Sequence, residues 1–168
     1  ITLNLKAVKD DVIKSFLMDQ YKIPDYQADV CTAFAQGNVG KAIQLASSDS
    51  FNELKAAALQ LMKRLDDIDL YEMSSAVKQI SEYKLQINDY FDLMMIWFRD
   101  ILYMKATNDV NGLIFKDEVY DIKKQAAKRS YNGIENILEA LSKAKIRLNA
   151  NVNFDLVIEL LLLTIKEN

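Results

Sequence analysis

The sequence predicts an all-α fold, and three observations carry that expectation. Helix breakers are scarce, since 168 residues hold 4 Gly and 1 Pro, the residues least tolerated inside helices. Apolar residues make up 51% of the chain, enough for a real core and too many for disorder. They recur at three- and four-residue intervals, the spacing that lines one face of a helix. The exception is Ile1-Thr2-Leu3-Asn4-Leu5-Lys6, whose alternation reads as a short strand with nothing nearby to pair with it. A lone strand at the head of a helical chain predicts a piece cut from a longer protein.

The elements follow in order. A first helix spans residues 9–20, with Val12, Ile13, Phe16 and Leu17 on one face. Pro24 punctuates, and Asp25 can cap a second helix running to about Gln36 with Ala28, Cys31, Phe34 and Ala35 inward. Gly37-Asn38 ends it, because both residues tolerate the left-handed conformation of a helix end. A third short helix spans 39–46. Ser47-Ser48-Asp49-Ser50 is the Ser-rich stretch of the chain; it is read as a domain boundary, with Ser50 able to cap the next helix, and a plain helix–helix loop is the other reading.

From Phe51 onward the pattern gives six more helices. The first carries Leu54, Ala58, Leu61, Met62 and Leu65, and the second Leu70, Met73, Val77 and Ile80. The third is long, from Ile87 to Met104, and Thr107–Gly112 closes it. The fourth covers about 116–128. Ser130 can cap the fifth, 131–149, on which Ile134, Ile137, Leu138, Leu141, Lys145 and Leu148 fall in near-heptad order. Short connections imply antiparallel neighbours in a bundle.

The sixth follows Leu148-Asn149-Ala150-Asn151-Val152-Asn153, where Asn151 or Asn153 can cap it. It is apolar on nearly every side, interrupted by Glu159. Such a helix must be covered all round. It is read as the central rod of a bundle, with partial burial against another subunit as the alternative.

Charge and chemistry narrow the function. The net charge is −3, and residues 1–50 carry 5 basic and 6 acidic side chains, so no basic half exists to grip nucleic acid directly. The sequence has no His, which removes the common general base and the usual nucleophile pairs. Cys31 is the single cysteine; it reads as a buried structural thiol in a reducing, cytosolic compartment. Apolar runs such as Leu160 to Leu163 are far short of a membrane span. Asp66-Asp67-Ile68-Asp69 reads as capping and turn chemistry, since the Ca²⁺-loop spacing is absent. Gly37-Asn38-Val39-Gly40-Lys41 is not a phosphate loop: Ala35 stands at the first Gly position, Ala42 at the Mg²⁺-binding hydroxyl position, and no strand precedes it. Trp97, with Phe98, Arg99 and Tyr103, is read as core in preference to a base-stacking platform. No catalytic residue, metal site or cofactor is expected.

Three segments carry a resemblance. Gly37-Asn38-Val39-Gly40-Lys41-Ala42-Ile43-Gln44-Leu45, preceded by Ala33-Phe34-Ala35-Gln36, resembles the lid segment of bacterial clamp-loader subunits. Ile96 to Lys105 is similar to their W-x-R-D-L-L-x-x-K helix, and Leu148 to Leu163 to their closing L-x-x-N-x-N-x-x-L-x-x-E-x-L-L-L helix. In this order and spacing they are most similar to the delta-prime type of DNA polymerase III. The resemblance implies a AAA+ subunit whose nucleotide-binding domain precedes this segment. Residues 1–50 would be the three-helix lid, with the end of that domain, and residues 51–168 the helical collar. Partners would be the gamma/tau and delta subunits and, indirectly, the sliding clamp and primed DNA. ATPase subunits of this family carry an Arg in the lid; the matching position is Gly40, and Lys41 lies about 100° further round the helix. That departure implies a subunit without ATPase activity. Trp97, Arg99, Asn151, Asn153, Glu159, Leu161 and Leu162 become the candidate interface or structural residues. A helical adaptor that binds a partner helix or peptide is the alternative; an enzyme is the least favoured class.

Overall fold

The computed structural model describes residues 6–168, so the expected strand lies outside the described residues apart from Lys6. Among the described residues the fold is all-α. Its helices are α1 (Asp10–Tyr21), α2 (Asp25–Ala35), α3 (Val39–Ala46), α4 (Asp49–Arg64), α5 (Leu70–Ser81), α6 (Ile87–Thr107), α7 (Val119–Lys128), α8 (Tyr131–Asn149) and α9 (Phe154–Glu167), with 3-10 turns at Lys84–Gln86 and Lys116–Glu118.

The first three helices pack on one another. Ile13 and Leu17 of α1 and Ala28, Cys31, Phe34 and Ala35 of α2 are buried, whereas Val12 and Phe16 stay at the surface. Gln36 and Gly37 both adopt positive φ, 48° and 85°. A Cβ on Gly37 would lie 2.5 Å from Ala7 Cβ, so the site needs glycine twice over, for conformation and for space. Two expected caps differ from the sequence reading. Pro24 holds the N-cap position of α2, leaving Asp25 in the first turn, where its carboxylate pairs with Lys14 at 2.7 Å. Ser48, not Ser50, caps α4, accepting from Phe51 N at 3.1 Å; Ser50 accepts from Gln86 Nε2 at 2.8 Å.

The other helices build a bundle around α6, which packs against α4, α7 and α8. Tyr90, Phe91, Trp97 and Phe98 of α6 are fully buried, each stabilising by about 1.5–3 kcal/mol relative to exposure. α9 packs chiefly against α8 and α5. The expectation that α9 forms the central rod is therefore corrected. α6 takes that place because its aromatic side chains need cover on several sides, while α9 keeps one apolar face open. Leu70, expected inward on α5, is also exposed.

Where the two groups of helices meet, the Phe34 and Phe51 rings lie edge to face with centroids 5.1 Å apart. Lys116 reaches from the α6–α7 connection to Asp29 of α2 at 2.7 Å.

Candidate assembly interface

α8 and α9 form a hairpin whose turn is fixed by local chemistry. Asn151 adopts φ 58°, the left-handed conformation Asn tolerates. Val152 N donates back to Arg147 O at 3.1 Å. Asn153 then caps α9, its side-chain oxygen accepting from Leu156 N at 3.0 Å. Of the two asparagines read as possible caps, one reverses the chain and the other starts the helix. Lys84 Nζ sits 5.3 Å from the Phe154 ring centroid beside this turn, and Ser81 Oγ donates to Asp155 at 3.3 Å.

The inner face of α9 is closed: Val157, Ile158, Leu161, Leu162 and Ile165 are buried. Its outer face is not, with Leu156 51% and Leu160 45% exposed. Leu156, Leu160 and half-buried Leu163 fall at i, i+4 and i+7, one stripe along the helix. On one side of the stripe an open cleft of about 220 Å³ separates α9 from α8, walled by Lys143, Arg147, Leu160 and Thr164. On the other side stands exposed Glu159. Lys143 pairs with Glu139 at 2.9 Å. Arg147 and Glu159 make no ion pair among the described residues. An apolar stripe with a cation on one flank and an acid on the other is chemically suited to an amphipathic helix of opposite flanking charge.

The remaining candidates bond within the chain, Trp97 from the core and Arg99 from a half-exposed position. Trp97 is fully buried and donates Nε1–H to Gln125 Oε1 at 3.2 Å; Gln125 Nε2 donates to Met62 O at 2.8 Å. Arg99 Nη1 donates to Asp100 Oδ1 at 2.6 Å and to Gly112 O at 3.0 Å. Asp100 has no exposed surface, and its Oδ2 accepts from Ile114 N at 2.9 Å and Phe115 N at 2.8 Å. Burial pushes the Asp100 carboxyl up, against the opposing pull of the Phe115 N–H and of Arg99. Gly40 lies exposed in the first turn of α3, and a Cβ there would meet only Asn38 Oδ1, at 3.5 Å, so a larger side chain would fit. Burial pushes the Cys31 thiol up to about 11, so it stays protonated near neutrality, as a structural thiol should.

The Asp66–Asp69 run is divided among three tasks. Asp66 pairs with buried Arg129 and with Lys128 at 3.3 Å, Asp67 with Lys124 at 3.5 Å, and Asp69 forms a capping box with Glu72 on α5. No helix of the described residues is long and apolar enough to cross a membrane.

Sequence reasoning overlooked Asp100, Gln125 and Arg129. A signal existed for Asp100 and Gln125. Asp100 falls three residues after Trp97 and four before Met104, on the apolar arc of α6, and Gln125 falls three after Ile122 on that of α7. A polar residue at an inward helical position is either a mistake in phase or a buried partner.

Residues 48–167 match the protein family described as "DNA polymerase III, delta subunit, C terminal". The chain is also similar to DNA polymerase III subunit delta' of Bacillus subtilis (strain 168), 25% identical over 169 aligned residues, covering 99% of this chain. It spans about half, 50%, of the length of that curated relative. No solved structure matches.

Proposed function

Because this chain belongs to the family of C-terminal domains of the DNA polymerase III delta subunit, we propose that it is the lid and collar of a delta-prime-like clamp-loader subunit. Residues 1–50 are the lid and residues 51–168 the collar, acting in the cytoplasm. The part is non-catalytic. It holds its place in a pentameric ring with gamma/tau and delta subunits, which loads the sliding clamp on primed DNA during replication.

The observation that carries the reading is the open stripe of Leu156, Leu160 and Leu163 on α9, beside the α8 cleft. An exposed apolar strip with unpaired Arg147 and Glu159 on its flanks is the surface a monomer seldom keeps without a partner. The grouping of α1–α3 apart from the bundle supports the lid–collar division, and Ser48 at the start of α4 supports the boundary near residue 50. Gly40 supports the absence of ATPase activity, since nothing at that position can reach a nucleotide.

The test is size-exclusion chromatography with light scattering. The chain is run alone and mixed with the gamma/tau and delta subunits of the same source. The expected result is co-elution as a larger defined complex, lost on Leu160→Asp while the helical content stays. A chain that remains monomeric beside folded partners overturns the reading. Weight would then pass to the adaptor alternative, whose partner helix would fill the same cleft.

A further inference from the structure

The joint between α1–α3 and the rest is thin. No helix of the first group packs extensively along a helix of the second. One attachment sits beside the covalent connection: the Phe34–Phe51 ring pair, where Ala33 and Phe34 of α2 also face Met95 and Ile96 of α6. A second lies elsewhere, at the first turns of α2. There Asp25 and Asp29, one helical turn apart, face two lysines. Lys14 of α1 bridges both carboxylates at 2.7 and 2.8 Å. Lys116, from the far side of the joint, meets Asp29 at 2.7 Å and Asp25 at 3.8 Å. Between the two sides an open cleft of about 150 Å³ remains, lined in part by Tyr26, Val30, Leu59 and Ile114. The ion pairs close the joint where apolar packing is incomplete.

Lys116 does not reach across unaided. It begins a 3-10 turn directly after Phe115, and the backbone N–H groups of Ile114 and Phe115 are both held by Asp100 Oδ2. Arg99 clamps the same carboxylate and the carbonyl of Gly112. The Phe115 ring lies 6.1 Å from that of Trp97. A carboxylate at the centre of α6 thus sets the path of the loop that presents the lysine.

We infer that Lys116 is a latch fixing the angle between α1–α3 and the helix bundle, and that Asp100 is the positioning residue that aims it. With the latch made, the first group is held on both sides of the joint and its rotation is opposed. Without it, the attachment around Phe34 and Phe51 remains and becomes a pivot, while Asp25 and Asp29 share a single cation. The latch pairs are partly open to water, so they weaken as salt screens them. The inference does not depend on whether the chain assembles with other subunits.

The experiment is a pulsed electron-paramagnetic-resonance distance measurement between spin labels on Ser15→Cys and Lys123→Cys, with Cys31→Ala removing the native thiol. The parent chain should give one narrow distribution. Lys116→Ala should broaden it severalfold with helical content unchanged. Raising salt from about 0.1 M to about 1 M, which shortens the screening length from about 10 Å to about 3 Å, should broaden the parent and leave Lys116→Ala unaffected. Asp100→Ala should broaden it as Lys116→Ala does, and the double variant no further. Asp100→Asn, whose carbonyl oxygen can still accept the two N–H groups, should restore the narrow form. If Asp100→Ala does not fold, Lys116→Ala and the salt series still decide. A distribution that stays narrow in Lys116→Ala overturns the latch. A broad Asp100→Asn, equal to Asp100→Ala, overturns the positioning role.

Discussion

The guanidinium of Arg129 donates to the carboxylate of Asp66 through one terminal nitrogen and to the carbonyl of Ile165 through the other, the latter at 2.8 Å. One buried side chain thereby ties the α4–α5 turn to the end of α7 and to α9, and it lies 5.5 Å from the Phe98 ring centroid. Burial lowers the pKa of Arg129, and Asp66 acts in the opposite sense. Removing one partner strands the other charge. Asp66→Ala should cost about 3–5 kcal/mol, read from urea unfolding. Asp66→Leu combined with Arg129→Met should cost less than either single change, because both charges then leave the core together.

Gln125 satisfies two buried groups at once, the Trp97 indole N–H and the Met62 carbonyl. Gln125→Leu keeps the volume and orphans both. The expected loss is about 1–3 kcal/mol for each unmet group, seen as a lower melting temperature. An unchanged melting temperature would mean that water reaches Trp97.

Asp100 carries a pH signature. Its folded pKa is raised above the ordinary 3.8 by burial, so the native chain binds that proton more tightly than the unfolded chain does. This carboxylate therefore contributes a stabilising increment as the pH falls through its folded pKa, complete below the unfolded value. Asp100→Asn has no such proton. The stability of the parent chain minus that of Asp100→Asn should rise on acidification, measured by chemical unfolding at a series of pH values. A difference that stays flat contradicts the raised value.

Leu160 and Leu162 separate assembly from folding. Leu162 is fully buried, and Leu162→Asp should cost more than about 4 kcal/mol and leave little folded chain. Leu160 is 45% exposed; Leu160→Asp should stay within about 0.5 kcal/mol of the parent in thermal unfolding. Its effect belongs to partner binding alone.

Asn151 and Asn153 should fail in the same measure and be rescued differently. Asn153→Ala loses the cap of α9 and Asn151→Ala strains a left-handed backbone, each costing about 1 kcal/mol. Asn153→Ser should recover the first loss and Asn151→Gly the second, followed by denaturant midpoint. Asn151→Ser should not recover the second loss, because Ser keeps the Cβ that strains the left-handed backbone.

Most of the helices were legible in the sequence because their cause is local. The apolar period of 3.6 and the punctuation at Gly37-Asn38, Ser130 and Asn149–Asn153 depend on neighbours within a few residues, so the start of α8 after Ser130 and the span of α3 could be read directly. Caps were less secure: Ser48 holds the position that Ser50 could equally have claimed, since nearby polar residues compete for the same free N–H groups, and Pro24 takes the place ahead of Asp25 with no side-chain cap bond. The expected strand at the head lies outside the described residues. What only the tertiary structure decided is which apolar faces find each other. The long apolar run of α9 looked like a centre, yet α6 is the centre, because burial is a property of the neighbours a face receives and a sequence shows only the face. Asp100, Gln125 and Arg129 follow the same logic. Each is an ordinary polar residue until packing removes the water around it, and then its partners, from Met62 to Ile165, come from parts of the chain that no local pattern connects.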